Sequence, residues 1–161
     1  EQYNRTKSNS ELAQFLIADA KGDDITIPEE KAQAIISLLK DRVTFPSDFW
    51  RDSQFIMTAP KEFDLEVASK KWNADAANLL TAYAAALDTF DGLFEGDNAK
   101  MLLEKTAEAE GIKLGKVMQA VRLAVTGMGA GPDLMQVFAI LGPAEVAKRI
   151  RYALNTLTVV G

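Results

Sequence analysis

Apolar residues recur at three- and four-residue spacing along most of the chain, and the alternation typical of strands is hard to find. Such spacing places apolar side chains on one face of successive helices. We therefore predict an all-α fold, a helical bundle or cage of roughly seven to nine helices in two packed subdomains. The predicted boundary separates residues 1–68, a helical subdomain, from residues 69–161, a second helical subdomain.

Two helices are predicted near the start. Ser8 and Glu11 have the spacing of a capping box, and the helix that they open should end at Gly22. The second helix should begin near Pro28, because proline suits a first helical turn. The predicted buried positions are Leu12, Phe15, Leu16 and Ala20 in the first helix and Ala32, Ile35, Ile36 and Leu39 in the second.

The middle of the chain is less regular. Residues 44–64 break into short pieces around two prolines and carry five aromatic side chains, which indicates a hinge or a small core. A long helix is predicted from about Asn73 to Phe90, a turn over residues 91–97, and another helix up to Gly111.

Three helices are predicted in the last third. The first runs from Lys113 to Thr126, and Gly127 is placed to cap it in the left-handed conformation. Its core face should consist of Leu114, Val117, Met118, Val121, Ala124 and Val125, while Lys113, Lys116, Gln119 and Arg122 project from the remainder together with one apolar exception, Leu123. Pro132 and Pro143 open the next two helices, and the last should turn Lys148, Arg149 and Arg151 outward.

The segment GMGAGPD precedes one of these helices, and it admits two interpretations. Free N–H groups at a helix start favour anions such as phosphate. Glycine and proline between two helices more often form only a tight connection. Neither a P-loop nor a Rossmann fingerprint is present.

The composition of the chain limits the kinds of catalytic and metal-binding site that it can form. The chain contains no cysteine and no histidine, which excludes disulfides, thiolate nucleophiles, imidazole bases and almost all zinc sites. The net charge is −5, but residues 1–99 carry 10 basic and 18 acidic side chains, whereas residues 100–161 carry 8 basic and 5 acidic ones. A positive end on an acidic body is expected where one face meets phosphates.

No apolar run approaches the length that spans a bilayer, and no signal peptide opens the chain, so we expect a cytoplasmic protein without a membrane partner. The chain starts at Glu1 rather than at methionine. We therefore expect a piece of a longer protein, with further chemistry upstream.

The segment KLGKVMQAVRLAVTGMGAGPDLMQVFAILGPAEVAKRIRYAL resembles the C-terminal signature of bacterial glutamyl-tRNA synthetases, KxGxxxQPLRxALTG followed by xxxxPxLxExLxxLGxxxxxxRLxxAL. The opening EQYNRTKSNSELAQFL is also similar to a stretch of that family. The matching positions are Lys113, Gly115, Gln119, Arg122, Thr126, Gly127, Pro132, Leu134, Leu141, Gly142, Arg149 and Leu154. Ala120 and Val121 depart from the usual Pro-Leu of the signature.

The resemblance implies the anticodon-binding region of an aminoacyl-tRNA ligase whose N-terminal catalytic domain, absent here, attaches glutamate to tRNA with ATP and Mg. It implies no catalytic residue, metal or cofactor in this chain. The implied partners are tRNA(Glu) and the missing catalytic domain, with no DNA, and a monomer is expected.

The resemblance also implies roles for individual residues. Arg42 falls where an arginine contacts the third anticodon base, and a guanidinium there can bond to the acceptors of cytosine. Arg122 and the loop of Gly131, Pro132 and Leu134 fall near the first two bases. Phosphate contacts are expected from Lys113, Lys116, Lys148 and Arg151. Arg42 also has a structural alternative, as an arginine at a helix end that neutralises the helix dipole. Leu134 has one in the core, and each of the four phosphate candidates has one as a side chain that only meets solvent. Trp50, Trp72 and Tyr83 are expected in cores rather than on bases.

Two rival functions fit the composition. One is a helical protein-interaction domain without an RNA role. The other is an enzyme that uses the carboxylate pair Asp23 and Asp24 or the pair Asp88 and Asp91, although acidic residues are common caps at helix ends.

Overall fold

The computed structural model describes residues 8–160. Over this range it forms nine α-helices and one short 3-10 turn and contains no strand, which confirms the all-α prediction. The first seven residues of the similar opening stretch lie outside the described residues. The α-helices are α1 (Asn9–Gly22), α2 (Glu29–Leu39), α3 (Asp48–Met57), α4 (Leu65–Lys71), α5 (Ala74–Asp88), α6 (Gly96–Glu110), α7 (Met118–Thr126), α8 (Leu134–Leu141) and α9 (Pro143–Thr156), and the 3-10 turn is Leu114–Lys116.

The chain divides into two compact units, Glu1–Thr58 and Ala59–Gly161. The division falls earlier than the predicted boundary at residue 68. The reason is that α4 and the residues before it belong with the second unit, where the backbone N–H of Asp64 donates to the carbonyl of Gly127 at 2.9 Å.

The first unit contains α1 to α3. The predicted capping box at Ser8 and Glu11 opens α1. All four positions predicted for the buried stripe of α2 are buried. In α1 the prediction was wrong for Phe15, which is 46% exposed, because the buried arc of the helix includes Ala13 instead.

The prediction of short pieces over residues 44–64 was also wrong in part, since α3 is a ten-residue helix. Its buried residues Phe49, Ser53 and Ile56 recur at helical spacing, and Trp50 lies beside them. The indole N–H of Trp50 donates to Oδ2 of Asp23 at 2.6 Å, so one of the candidate catalytic carboxylates takes part in the fold.

The core of the second unit is built around α5 and α9. Asn73 caps α5 by accepting from the N–H of Ala76, and the fully buried Tyr83 on this helix stacks against Phe138 with ring centroids 6.1 Å apart. The Tyr83 hydroxyl donates to the carbonyl of Ala99 at 3.0 Å, and burial raises the pKa of Tyr83. No helix among residues 8–160 combines the length and the apolar character needed to cross a membrane.

The predicted helix from Lys113 to Thr126 is divided. Its start is the 3-10 turn, and α7 begins only at Met118. Leu123, predicted to project outward, is fully buried. Because α7 packs against α9 on one side and α4 on another, its buried arc is wider than the single face that the periodicity indicates.

Candidate nucleic-acid interface

The residues 127–132, which we call the glycine loop, connect α7 to α8. Gly127 ends α7 in the left-handed conformation, with φ of +80°, as predicted. A Cβ at this position would lie 2.9 Å from the carbonyl oxygen of Glu62 and equally close to Cβ of Pro60. Both the backbone angle and the surrounding space therefore require glycine here.

Three polar side chains of α7 face the glycine loop. Gln119, Arg122 and Thr126 recur at helical spacing, so they form one ridge along the helix. Nη1 of Arg122 donates to the carbonyl of Pro132 at 2.7 Å, and Nε2 of Gln119 donates to the carbonyl of Gly129 at 3.3 Å. The Thr126 hydroxyl accepts from the N–H of Met128 at 3.2 Å. The ridge therefore contacts the loop near its start, its middle and its end.

The residues before and within α4 contact the same loop. Asp64 donates its N–H to the carbonyl of Gly127, as described above. A Cβ on Gly129 would lie only 2.7 Å from Cγ2 of Val67 and 2.9 Å from Nε2 of Gln119. Gly129 is thus enclosed between α4 and α7.

At the start of α8 an acidic side chain already accepts from two of the helix's first N–H groups. The carboxylate of Asp133 accepts from the N–H of Met135 at 3.1 Å and from that of Gln136 at 3.4 Å. The cap is itself negative, which disfavours a phosphate at this place. Of the two interpretations of the glycine-rich segment, the tight helical connection is the one that forms.

The predicted base-contact residues of this region lie together but differ in exposure. Gly131 is half-buried, and a Cβ there would lie 3.1 Å from Nη1 of Arg122. Arg122 is partly buried, whereas Pro132 is buried and Leu134 is only 4% exposed. The side chain of Leu134 therefore occupies the core position that was its structural alternative.

Arg42 belongs to the first unit, and the other four predicted residues belong to the second. It is exposed and lies in the turn that follows α2, where its backbone N–H donates to the carbonyl of Leu39 at 2.8 Å.

The four predicted phosphate contacts fall into two groups. Lys113, Lys116 and Lys148 are exposed. Arg151 is also exposed, but it forms a two-pronged ion pair with Asp88 of α5, with Nη1 3.0 Å from Oδ1 and Nη2 closer still to Oδ2. The guanidinium lowers the pKa of the Asp88 carboxyl through this hydrogen bond, so the charge of Arg151 already has an internal counterion.

The prediction that Arg149 points outward was wrong. This residue is 2% exposed, and its Nε lies 2.8 Å from Oε2 of Glu145 one turn earlier. Its Nη1 donates to the carbonyl of Val125 at 3.1 Å, near the negative end of α7. The i,i+4 pair of Glu145 and Arg149 was visible in the sequence, but the carbonyl acceptor was not.

The aromatic side chains considered for base stacking lie in the cores of the two units. Trp72 and Tyr83 are fully buried and Trp50 nearly so, as expected for core aromatics. Among residues 8–160 there is no group of three or more acidic side chains placed to hold a metal ion. Sequence reasoning missed the loop contacts of Gln119 and Val67, although the helical spacing of Gln119, Arg122 and Thr126 is a signal that could have grouped the first of them with Arg122.

A cleft of about 440 Å³ lies beside the start of α8. Its walls come from the beginnings of α6, α7 and α8 and from the 3-10 turn. The lining combines methionine side chains of α7 and α8 with carboxylates and an amide. It includes Asp97, Lys100, Leu103, Met118, Asp133, Met135 and Gln136.

Comparison with known proteins identifies the family to which this chain is similar. The family described as "Anticodon binding domain" matches residues 10–154. The glutamate–tRNA ligase of Cytophaga hutchinsonii is 42% identical over 98% of this chain, and that of Amoebophilus asiaticus is 34% identical over all of it. In each case the chain covers 31% of the relative's length.

Solved structures agree with the sequence comparison. A crystal structure of a glutamate tRNA ligase from Elizabethkingia meningosepticum, in complex with its amino acid, superposes with a TM-score of 0.89 at 32% identity. The superposition covers 98% of this chain and 31% of that structure. The glutamate–tRNA synthetase of Elizabethkingia anophelis superposes with a TM-score of 0.83 at 31% identity. The chain belongs to the family of anticodon-binding domains, and it corresponds to the C-terminal portion of glutamate–tRNA ligases.

Proposed function

We propose that this chain reads the anticodon of tRNA(Glu) as the anticodon-binding region of a glutamate–tRNA ligase. The observation that carries the proposal is the match of nearly the whole chain, in sequence and in backbone, to ligases of that name. An anticodon-binding domain takes tRNA as its partner, and a protein-interaction domain without an RNA role is not favoured by this match.

The glycine loop is the part of the second unit that we propose to meet the anticodon. Single-stranded bases are recognised when they splay out and expose their edges to hydrogen-bonding groups. The partly buried Arg122 and the backbone of Gly131 and Pro132 lie together at the end of this loop. In this proposal they contact the first two bases, and the buried Leu134 contributes by fixing the start of α8.

Arg42 is proposed to contact the third base from the first unit. Its exposed position on a turn leaves the guanidinium accessible to solvent. Lys113, Lys116 and Lys148 are proposed to contact phosphates, since exposed lysines supply charge that holds an RNA backbone without reading its sequence. Arg151 can join them only by sharing its charge with Asp88.

The cleft beside α8 is a proposed receptor for one unstacked base. Met118 and Met135 offer polarisable apolar surface for a ring, and the Asp133 and Gln136 side chains offer polar groups for its edge. The cleft opens next to the 3-10 turn that carries Lys113 and Lys116 at its ends, so a bound base would have lysines near its phosphate.

The catalytic chemistry is proposed to lie outside these residues. Charging of tRNA with glutamate would use ATP and Mg²⁺ in a catalytic domain of the same protein, and this chain would supply no catalytic residue and no cofactor ligand. We further propose that the protein acts in the cytoplasm as a monomer and does not bind DNA. One carboxylate of each pair in the rival enzyme hypothesis has another partner, since Asp23 accepts from Trp50 and Asp88 accepts from Arg151.

One titration tests the proposal. The protein is mixed with a tRNA(Glu) transcript and with the same transcript carrying another anticodon, and the two dissociation constants are compared. The proposal expects tighter binding of the matched transcript. Equal affinity for both transcripts would exclude anticodon reading.

The same assay tests Arg122. The Arg122→Ala variant is expected to weaken binding of the matched transcript by about 1–3 kcal/mol, by analogy with base-reading arginines on DNA. If affinity is too low to titrate, the full-length ligase that carries this region supplies the additional grip of its other contacts, and KM for tRNA becomes the measurement. Normal binding by this variant would remove Arg122 from the interface.

A further inference from the structure

The glycine loop is held from two sides by residues that sequence reasoning did not assign to the site. We propose that the loop is kept in one recognition-competent shape before RNA arrives, and that Gln119 and Val67 are positioning residues for anticodon reading. This inference rests on the proposed function, but it concerns residues that act through the loop rather than by touching a base.

The first observation is the enclosure of Gly129. Its backbone passes so close to α4 and α7 that a single added carbon would lie 2.7 Å from Cγ2 of Val67 and 2.9 Å from Nε2 of Gln119. Real Cβ atoms essentially never approach heavy atoms that closely. The middle of the loop therefore lies close to both helices and has no room for a side chain.

The second observation is the hydrogen bonding around the loop. Gln119 donates to the carbonyl of Gly129 and Arg122 to that of Pro132. The Thr126 hydroxyl accepts from the N–H of Met128, and Asp64 donates to the carbonyl of Gly127. Side chains and backbone from two helical segments thus bond four of the loop's six residues.

Such restraint has a direct consequence for binding. A loop that is already in its bound shape loses little conformational entropy when the ligand arrives, whereas a loose loop loses more and binds more weakly. The gain applies only to a ligand that fits the fixed shape. Positioning residues should therefore influence the preference for the matched anticodon more than the general affinity for RNA.

The first experiment compares Gly129→Ala with Gly129→Ala combined with Val67→Ala. In the single variant the stiff branched side chain of Val67 must push the loop away, and Kd for the matched tRNA(Glu) transcript should rise about tenfold or more. Shortening Val67 removes the nearest atom, and Gln119 needs to shift only slightly, because its contact is the end of a flexible chain that can keep its bond to the Gly129 carbonyl. The double variant should therefore recover most of the lost affinity.

The matched control is Gly22→Ala at the end of α1. A Cβ there would meet nothing within 4 Å, so this variant should bind both transcripts like the unsubstituted protein. The transcript with the changed anticodon should bind all four proteins with similar affinity, since its contacts are with the phosphates.

The second experiment uses Gln119→Ala, which changes an exposed side chain and leaves the core intact. Backbone order parameters from NMR relaxation of the RNA-free protein should fall at Gly129 and its neighbours, and Kd for the matched transcript should rise severalfold. A residue that only touched RNA would not change the order parameters of the free loop. This variant also decides the question if Gly129→Ala fails to fold.

The outcomes separate the two proposals. If the unsubstituted protein does not distinguish the transcripts, anticodon reading fails and the RNA part of this inference fails with it. If the unsubstituted protein distinguishes them, and Gly129→Ala and Gln119→Ala retain the full preference, the inference alone is overturned. Failure of Val67→Ala to restore binding in a folded double variant would overturn the role given to Val67.

Discussion

Helices α7 and α9 both carry arginines of the same C-terminal signature, yet they use them differently. On α7, Arg122 reaches the carbonyl of Pro132 at the end of the glycine loop. On α9, Arg149 is buried against Glu145 and the carbonyl of Val125, and Arg151 is paired with Asp88. The arginines of α9 hold helices together, while that of α7 shapes a loop at the surface.

This difference shows that a count of basic residues in the sequence does not give the number of cations that are available to bind RNA. Residues 100–161 carry three more basic than acidic side chains, since they hold 8 of the first kind and 5 of the second. Two of those basic groups, Arg149 and Arg151 on α9, are held by acceptors within the protein. The charge most available to a phosphate lies instead on the exposed lysines.

The largest expected effect is a loss of stability when Arg149 is replaced. This substitution tests whether the buried arginine of α9 stabilises the fold. Arg149→Ala leaves the carbonyl of Val125 and the half-buried carboxylate of Glu145 without this donor, which should reduce the free energy of unfolding by about 2–4 kcal/mol. Glu145 is 35% exposed and can recover some hydration, so the estimate lies below that for a fully buried pair. Urea denaturation followed by circular dichroism measures it.

Lys148→Ala is the control for this measurement, because it removes the neighbouring exposed cation. It should change the free energy of unfolding by less than about 0.5 kcal/mol. Equal stability of the two variants would show that the buried ion pair does not support the fold.

The next effect tests the shape of the loop on the α7 side. Gly127 and Gly111 both end helices with positive φ, of +80° and +69°, but only Gly127 lacks room for a side chain. Gly111→Ala should cost about 1 kcal/mol of stability from backbone strain alone. Gly127→Ala should cost about 1–2 kcal/mol more, because Glu62 and Pro60 must move.

Thermal unfolding of the two alanine variants gives this difference directly. The strain of the left-handed backbone is common to both, so it cancels in the comparison. Identical melting temperatures would mean that the segment around Pro60 yields easily and does not restrain the loop.

A smaller effect should appear in the salt dependence of tRNA binding. Each phosphate contact by a cation contributes about 0.7–0.9 to the slope of log K against log salt concentration. Lys148→Ala should reduce the slope by about that amount. Arg151→Ala should reduce it by clearly less, since Asp88 already neutralises the arginine. Equal reductions would show that both cations of α9 serve RNA.

The smallest effect concerns pH. The Arg151 guanidinium lowers the pKa of Asp88 in the folded protein, so the ionised pair favours the folded state above the ordinary pKa of this carboxyl, 3.8. As pH falls through the lowered pKa, Asp88 takes up a proton and the contribution is lost. Asp88→Asn should therefore be slightly less stable than the unsubstituted protein near neutral pH, and the difference should shrink in strong acid. Urea midpoints measured across this range would reveal it, and a difference independent of pH would contradict the assignment.

Much of the fold was predictable because its determinants are local. The capping box at Ser8, the buried stripe of α2 and the left-handed Gly127 all follow from residues within a few positions of one another. The family was predictable for a similar reason, since the signature is contiguous in the chain.

The errors arose where packing between distant segments decides the outcome. Leu123 is buried because α7 is covered on two sides, and no periodicity within α7 reveals the second neighbour. Arg149 is buried because the carbonyl of Val125, 24 residues earlier in the chain, accepts its hydrogen bond. The loop contacts of Val67 likewise join segments far apart in sequence. Base-contact roles of individual residues stay predictions, because the geometry of the loop depends on these distant contacts.

The enclosure of Gly129 also bears on how the chain can evolve. Position 129 can accept a side chain only if position 67 gives up volume at the same time, so the two sites are expected to drift as a pair. Lineages that replaced Val67 with a smaller residue would have gained freedom at the loop, whereas lineages that kept it would retain glycine. The residues allowed in the loop thus depend partly on a helix some sixty residues earlier in the chain. A comparison of related sequences restricted to the loop would miss this dependence.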